Sequence, residues 1–277
     1  MPWNEFFFGV SRSGGLRIDP CQGSDCRAEC ATELLERLVR MELGLFIGKS
    51  GGVWFCDNPA PREWIATHEL AFCSTKHLGE KSDALPFPCP MILRWPQVGI
   101  PDAQVMMSDL LSNRDPYCDG RIFWIGADTH PSRRSLQELA RRFPDIIDAE
   151  IMEWDRDAPG GQRSKIRQVS LPDHARYKYL IDCPGWGYSA RTKWLLAMGR
   201  PVFMVERPSV EHWHDLLKPW IHYVPVAADL SDLLENWQRL ERDPDLYIAI
   251  AMGGRTFAEI HLSAASQIEA ALTRVES

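Results

Sequence analysis

From residue 120 onward, short apolar runs alternate with longer amphipathic stretches, and only a few residues separate one from the next. Residues 122–125, 146–151, 177–181, 202–205 and 221–226 read as strands, rich in β-branched and aromatic side chains. Between them, residues 132–143 set Leu136, Leu139, Ala140 and Phe143 on one helical face. Residues 189–198 read as a helix after a Gly-rich turn. Leu230, Leu233, Leu234, Trp237 and Leu240 mark a third helix with Asp229 as its expected N-cap, and residues 244–275 close the chain with helices. Strand–helix–strand alternation with short loops admits few folds. It implies βαβ units and a parallel sheet covered by helices on both faces.

The earlier residues are less regular. The chain is turn-rich as far as Gly23, and residues 31–41 then carry Leu34, Leu35, Leu38, Val39 and Met41 on one helical face. Residues 43–47 and 53–56 are short apolar runs bounded by glycines and read as strands. Five prolines between residues 86 and 101 argue for irregular chain, where binding loops usually sit. A polar stretch at 113–120 suggests a boundary between an N-terminal domain, 1–115, and a C-terminal domain, 116–277. Ligands of such sheets bind beyond the carboxyl ends of the strands, so a cleft between the halves is the expected site.

Composition removes several classes of function. With 45% apolar and 25% charged residues in 277, the chain is globular. Its 31 Lys and Arg against 38 Asp and Glu give a net charge of −7, which argues against nucleic acid as a partner. Apolar stretches such as 247–252 are far shorter than the roughly 18–20 residues that cross a bilayer. Eight cysteines include a C-x4-C-x3-C run at 21, 26 and 30, which lacks the tight C-x2-C pairs of a structural zinc site. A disulfide there fits an oxidising compartment, but no signal peptide supports one. The sequence leaves the location undecided between the cytoplasm, as the chain stands, and a secretory lumen, if a leader has been removed. Of the eleven Trp, most are expected in the core and some beside a sugar.

Two strand-to-helix junctions carry the chemistry. Gly185-Trp186-Gly187-Tyr188-Ser189 leads into a stretch holding Arg191, expected at the third helical position, and Lys193. Glycines let backbone approach an anion, helix N-termini present unpaired N–H groups, and an Arg fork suits phosphate. The segment from Trp124 through Gly126, Asp128, Thr129 and Pro131 to Arg133 repeats the theme. Together the two junctions suit the ends of a nucleoside diphosphate. The blander readings are a tight turn with a surface Arg, and N-capping by Asp128 or Thr129. No Gly-x-Gly-x-x-Gly is present, which removes a nicotinamide oxidoreductase.

Several segments carry a resemblance: residues 173–180 (Asp-His-Ala-Arg-Tyr-Lys-Tyr-Leu), the Gly185–Lys193 turn, residues 217–226 (Leu-Lys-Pro-Trp-Ile-His-Tyr-Val-Pro-Val) and residues 229–233. They resemble glycosyltransferase family 90, which includes fungal capsule-associated xylosyltransferases and animal protein O-glucosyltransferases. The resemblance covers roughly residues 120–262, continuing through Gly254, Phe257 and His261. It implies a GT-B fold, two Rossmann-like domains facing a cleft, with a UDP-sugar held by the C-terminal half. It also implies inverting, metal-independent transfer to a hydroxyl of a glycan or protein acceptor, giving a β-linkage with no cofactor beyond the donor. Carried over residue by residue, Gly126, Thr129, Arg133, Gly185, Trp186, Gly187, Tyr188, Ser189 and Arg191 would bind the donor.

Two departures bear on the sugar: Ile125 stands where the family has Arg, and Trp186 and Tyr188 stand where it has small residues. The second slightly favours xylose over glucose. Trp54-Phe55-Cys56-Asp57-Asn58-Pro59 resembles the family's strand-end segment bearing a catalytic Asp, which implies Asp57 as general base. By itself Asp57 reads as an Asx-turn residue. Cys21 and Cys26 resemble a family cysteine pair, and Ser74, Asp83 and Glu211 are carried over as acceptor or sugar contacts, with Thr75 and Lys76 beside them. Asp155-Arg156-Asp157 has the form of a metal-binding Asp-x-Asp, but its polar surroundings read as an exposed loop. His212, His214 and His222 read as packing or substrate contacts. A fold retained for nucleotide or sugar binding after loss of activity is the alternative, and Ile125 is the residue that supports it.

Overall fold

The computed structural model describes residues 4–19, 26–155, 163–164 and 167–276. The first elements are β1 (Glu5–Val10), β2 (Leu16–Ile18), α1 (Cys26–Met41), α2 (Leu43–Phe46), β3 (Ser50–Trp54), α3 (Arg62–Ala66), β4 (Leu70–Cys73), β5 (Thr75–His77), β6 (Leu85–Pro86) and α4 (Ala103–Ser112). Five of them form a sheet in the order β2-β1-β3-β4-β6. β1 runs antiparallel to β2 and β3, while β3, β4 and β6 are parallel. α1 buries Leu34, Leu35 and Leu38 against Phe6, Phe8, Val53 and Phe72 of this sheet. Gly51 is required where β3 meets β4, because a Cβ would lie 2.1 Å from the Leu70 carbonyl oxygen.

Two local expectations fail here. Residues 5–18, read as turns, form β1 and β2, since Phe6, Phe8 and Val10 alternate inward along β1. Residues 43–47, read as a strand, form the helical turn α2, which buries Phe46 and leaves Leu43 and Ile47 exposed. Periodicity does not separate a strand from a helical turn in so short an apolar run.

The remaining elements are β7 (Asp119–Gly126), α5 (Pro131–Arg142), β8 (Ile147–Ile151), β9 (Trp154–Asp155), β10 (Arg163–Ser164), β11 (Tyr177–Asp182), α6 (Thr192–Ala197), β12 (Val202–Val205), β13 (Ser209–Glu211), β14 (Val224–Val226), α7 (Leu233–Arg242), α8 (Pro244–His261) and α9 (Ala264–Glu276). The second sheet is wholly parallel, in the order β14-β12-β11-β7-β8. Strand order reverses between β7 and β11, which makes their carboxyl ends the switch point where such sheets bind ligands. Two α/β halves, each built on a sheet with parallel strands, make the expected GT-B architecture.

Several boundaries differ from expectation. The helix at 189–198 shortens to α6, with Arg191 at its N-cap rather than its third position. The strand at 221–226 shortens to β14, because Trp220 takes a left-handed φ of 62° in the preceding turn. Asp229 does not cap α7. Leu230 is left-handed at φ 63°, Asp229 accepts from the Ser231 N–H at 3.0 Å, and Asp232 becomes the N-cap residue.

Packing does not divide at 115 either. Ile100 and the α4 residues Ala103, Met107 and Leu110 join the core beneath the second sheet. The α9 residues Ile268, Ala271 and Leu272 return to the core of the first. β13 pairs antiparallel with β5, Glu211 opposite Thr75, and so stitches the halves together. Cys21 lies outside the described residues, and the Cys26 sulfur sits 3.7 Å from that of Cys30.

Candidate active site

β7 and β11 are hydrogen-bonded neighbours, so the loops leaving their carboxyl ends must meet. Arg133, in the first turn of α5, ties them together. Its Nε donates to the Pro184 carbonyl at 2.8 Å, Nη1 to Ala127 at 2.7 Å and Nη2 to Cys183 at 3.3 Å. A Cβ on Gly185 would lie 3.3 Å from the Tyr188 carbonyl oxygen, 3.5 Å from Arg133 Nη2 and 3.7 Å from Thr129 Oγ1. Thr129, Arg133 and Gly185 therefore border one small space. His130, and neither Asp128 nor Thr129, caps α5, its Nδ1 accepting from the Ser132 N–H at 3.3 Å. Asp128 is taken up by Arg134.

Arg191 donates from Nη1 to the Ile125 carbonyl. Its guanidinium lies 5.8 Å from the centre of the Trp124 ring, and that of Arg133 lies 5.3 Å from the same ring. Two like charges thus flank one indole. Burial, and then the Arg191 charge, pushes Arg133 down to about 10; burial also lowers Arg191. Neither forms a salt bridge among the described residues.

The carboxylate beneath them, Asp182, is fully buried and already engaged. Oδ2 accepts from Arg207 Nη1 at 2.7 Å and Thr192 Oγ1 at 2.5 Å, and Oδ1 accepts from Ser189 Oγ at 2.7 Å. Burial pushes its carboxyl up, but Arg207 and then Arg191 hold it below the usual range. Arg207 is the one guanidinium that pairs with this carboxylate among the described residues, Arg191 and Arg133 feel its charge without contact, and the surplus positive charge lies at the switch point. Such a cluster suits a diphosphate.

Asp57 follows β3 and meets the same turn from the other half. The Tyr188 N–H donates to its carbonyl oxygen at 3.3 Å, and a Cβ on Gly187 would lie 1.9 Å from that oxygen. Glycine at 187 is what lets the two loops touch. The Asp57 carboxylate accepts from Arg27 Nη1 at 2.9 Å and makes no Asx turn among the described residues.

Other expected residues sit elsewhere. The Tyr188 hydroxyl is buried 2.8 Å from Cys89 Sγ, and Trp186 is 64% exposed, so the pair does not fill one space beside the turn. Ser189 is occupied in holding the turn through Asp182. Ser74 is buried, with its hydroxyl donating to the Pro88 carbonyl at 3.4 Å. Glu211 is buried against Lys193, Nζ to Oε1 2.8 Å. Lys76 donates to Asp215 at 2.6 Å. Asp83 is exposed at the rim of a cavity of about 380 Å³ that also touches Pro59, Ala60, Thr75 and Lys76. Ser74 and Glu211 are thus buried and engaged within the protein, while Asp83 is exposed.

His214 stacks on Trp213 at 3.9 Å, while His222 accepts from the Lys218 N–H at 3.1 Å. Among the described residues no three His, Cys, Asp or Glu side chains gather into a metal site. Asp155 lies in β9, but Arg156 and Asp157 fall outside those residues. No helix among them is long and apolar enough to cross a membrane. Asp182, Arg207 and Arg27 were not singled out from the sequence. A carboxylate ending one apolar strand and an arginine two residues past another were the available signal for the first two; Arg27 left none.

Residues 31–268 match the family model described as Glycosyl transferase family 90. Protein O-glucosyltransferase 1 of Rattus norvegicus is 39% identical over 143 residues, covering 50% of this chain and 36% of that protein. The Homo sapiens protein of that name is 37% identical over 143 residues, with 50% and 36% covered. O-glucosyltransferase rumi of Drosophila pseudoobscura pseudoobscura is 32% identical over 148 residues, with the same shares. The matched region is thus 36% of the length of each of these relatives. Among solved structures, sucrose-phosphate synthase (tll1590) from Thermosynechococcus elongatus gives a TM-score of 0.40 at 13% identity, covering 64% of this chain and 47% of that one. Anabaena Alr3699/HepE in complex with UDP-glucose gives 0.37 at 13% identity, covering 66% and 46%. The family match takes in Asp57 and both strand-end junctions, and the chain belongs to glycosyl transferase family 90.

Proposed function

We propose that this chain is a UDP-sugar-dependent, inverting glycosyltransferase acting on a hydroxyl of a protein or glycan. One observation carries the reading. Arg133 and Arg191, neither of them ion-paired among the described residues, flank the Gly185 turn at the switch point, and Asp57 abuts that turn from the other half. The diphosphate would lie on the turn, with the two guanidinium groups stabilising the charge that grows as it leaves. Asp57 takes the acceptor proton while the acceptor oxygen attacks the anomeric carbon. The bond to the β-phosphate oxygen breaks on the opposite face, and an α-linked donor yields a β-linked product. The arginines take the place of a metal in this scheme, so no metal is required.

The case for xylose rested on Trp186 and Tyr188 filling space beside the diphosphate. Tyr188 is turned toward Cys89 and Trp186 is exposed, so this pair lends xylose little support. The relatives are named O-glucosyltransferases, and we take UDP-glucose as the donor.

Calorimetric titration in EDTA with UDP, UDP-glucose, UDP-xylose and NAD tests this reading. Expected are UDP binding without metal, at least tenfold weaker binding in Arg191→Ala, tighter binding of UDP-glucose than UDP-xylose, and no NAD binding. UDP binding that needs manganese would overturn metal independence. Ile125, buried where the family carries Arg, keeps the binding-only reading open. UDP binding with no sugar transfer to any acceptor, water included, would favour that second reading.

A further inference from the structure

Asp57 sits on a short loop between β3 and α3, and its backbone is held by the Tyr188 N–H. Its side chain has one partner among the described residues, Arg27 of the first turn of α1, with Nη1 donating to Oδ1 at 2.9 Å. Oδ2 has no hydrogen-bond partner among the described residues. A general base needs this arrangement, one oxygen anchored and the other open to the hydroxyl it deprotonates at about 2.6–3.2 Å. The same guanidinium faces the buried Tyr188–Cys89 pair. Burial lowers its proton affinity, but Asp57, Tyr188 and Cys89 outweigh that and raise it. Arg27 therefore contacts the Asp57 carboxylate and lies within electrostatic reach of the buried side of the Gly185 turn.

We propose that Arg27 is a positioning residue for Asp57, orienting the carboxylate so that Oδ2 meets the acceptor hydroxyl. The inference rests on the transferase reading above. In the step it serves, the acceptor proton passes to Oδ2, the acceptor oxygen bonds to the anomeric carbon, and the sugar–phosphate bond breaks with its electron pair leaving on UDP. Arg27 exchanges no proton. A misplacement of about 1 Å in a reacting group costs on the order of a hundredfold in rate. The pair is partly exposed, 30% at Arg27 and 26% at Asp57, so the ion pair itself is expected to contribute little to stability.

Water serves as the acceptor in the test, read as UDP release from UDP-glucose by wild type, Arg27→Gln, Arg27→Lys, Asp57→Asn and the double variant Arg27→Gln/Asp57→Asn. Expected are a kcat roughly 30- to 100-fold lower in Arg27→Gln, with KM for UDP-glucose and Kd for UDP unchanged. Arg27→Lys should restore part of the rate. The double variant should be no slower than Asp57→Asn alone, because Arg27 acts through Asp57. A wild-type kcat in Arg27→Gln, a loss confined to KM, or additive losses in the double variant would each overturn the proposal while wild-type turnover upholds the transferase reading. A wild type that binds UDP but releases none from UDP-glucose overturns both.

Discussion

His174 shows what burial does to a single titratable side chain. It is 4% exposed, its Nδ1–H donates to the Ser170 carbonyl at 2.8 Å, and its Nε2 has no partner among the described residues. Burial, and then the Arg191 charge, pushes it down to about 3. Folding therefore favours the neutral ring, and below the unfolded value near 6.5 the unfolded chain binds the extra proton. Stability held above pH 6.5 is lost as pH falls through the window from 6.5 toward 3, at a slope approaching ~1.4 kcal/mol per pH unit from this group. Urea melts at pH 7, 6 and 5 on wild type and His174→Phe should show a flatter slope in the variant. Other single residues divide by partner distance. Arg133 and Arg191 stand out in the sequence by their place after glycine-bearing turns. Asp182 and Arg207 pair across 25 residues, and no local pattern records such a meeting.

At the scale of elements, the βαβ alternation was readable because strand and helix periods differ and each run buries one face. Helix ends were not, since caps are settled by hydrogen bonds that the tertiary turn permits. His130 caps α5 through its side chain, while Asp232 takes the N-cap position of α7 with its carboxylate turned to the Ala227 N–H and the Asn236 amide. The junction between β11 and α6 is held from below by Asp182, through Ser189, Thr192 and Arg207. Asp182→Asn leaves Arg207 buried without its counter-charge, and we expect a loss of about 3–5 kcal/mol in urea unfolding. Replacing both partners with apolar side chains of similar volume should cost less, because no orphaned charge remains. UDP affinity should fall in either variant as the turn loosens.

For the whole molecule, the chain crosses between its halves more than once. α4 supports the second sheet and α9 returns to the first, while β5 and β13 pair across the join. Leu272, 6% exposed, fills the core that also contains Val53 and Phe55 just before Asp57. Leu272→Ala should cost about 2–5 kcal/mol. Amide exchange should then speed up in β1 and β3 before β12, although residue 272 lies beyond every strand of the second sheet. Equal loosening of both sheets would contradict this packing. Local pattern determined by itself that the chain is α/β, that two strand-to-helix junctions combine glycine with arginine, and that Asp57 follows an apolar strand, because period, turn residues and short motifs are written in neighbouring positions. Only the tertiary structure decided that Arg207 pairs with a buried Asp182 near Arg133 and Arg191, that Gly187 lets Asp57 touch the turn, that Arg27 pairs with Asp57, and that the last helix belongs to the first half. Those outcomes depend on burial and on contacts between residues far apart in the chain, which no stretch of sequence specifies alone.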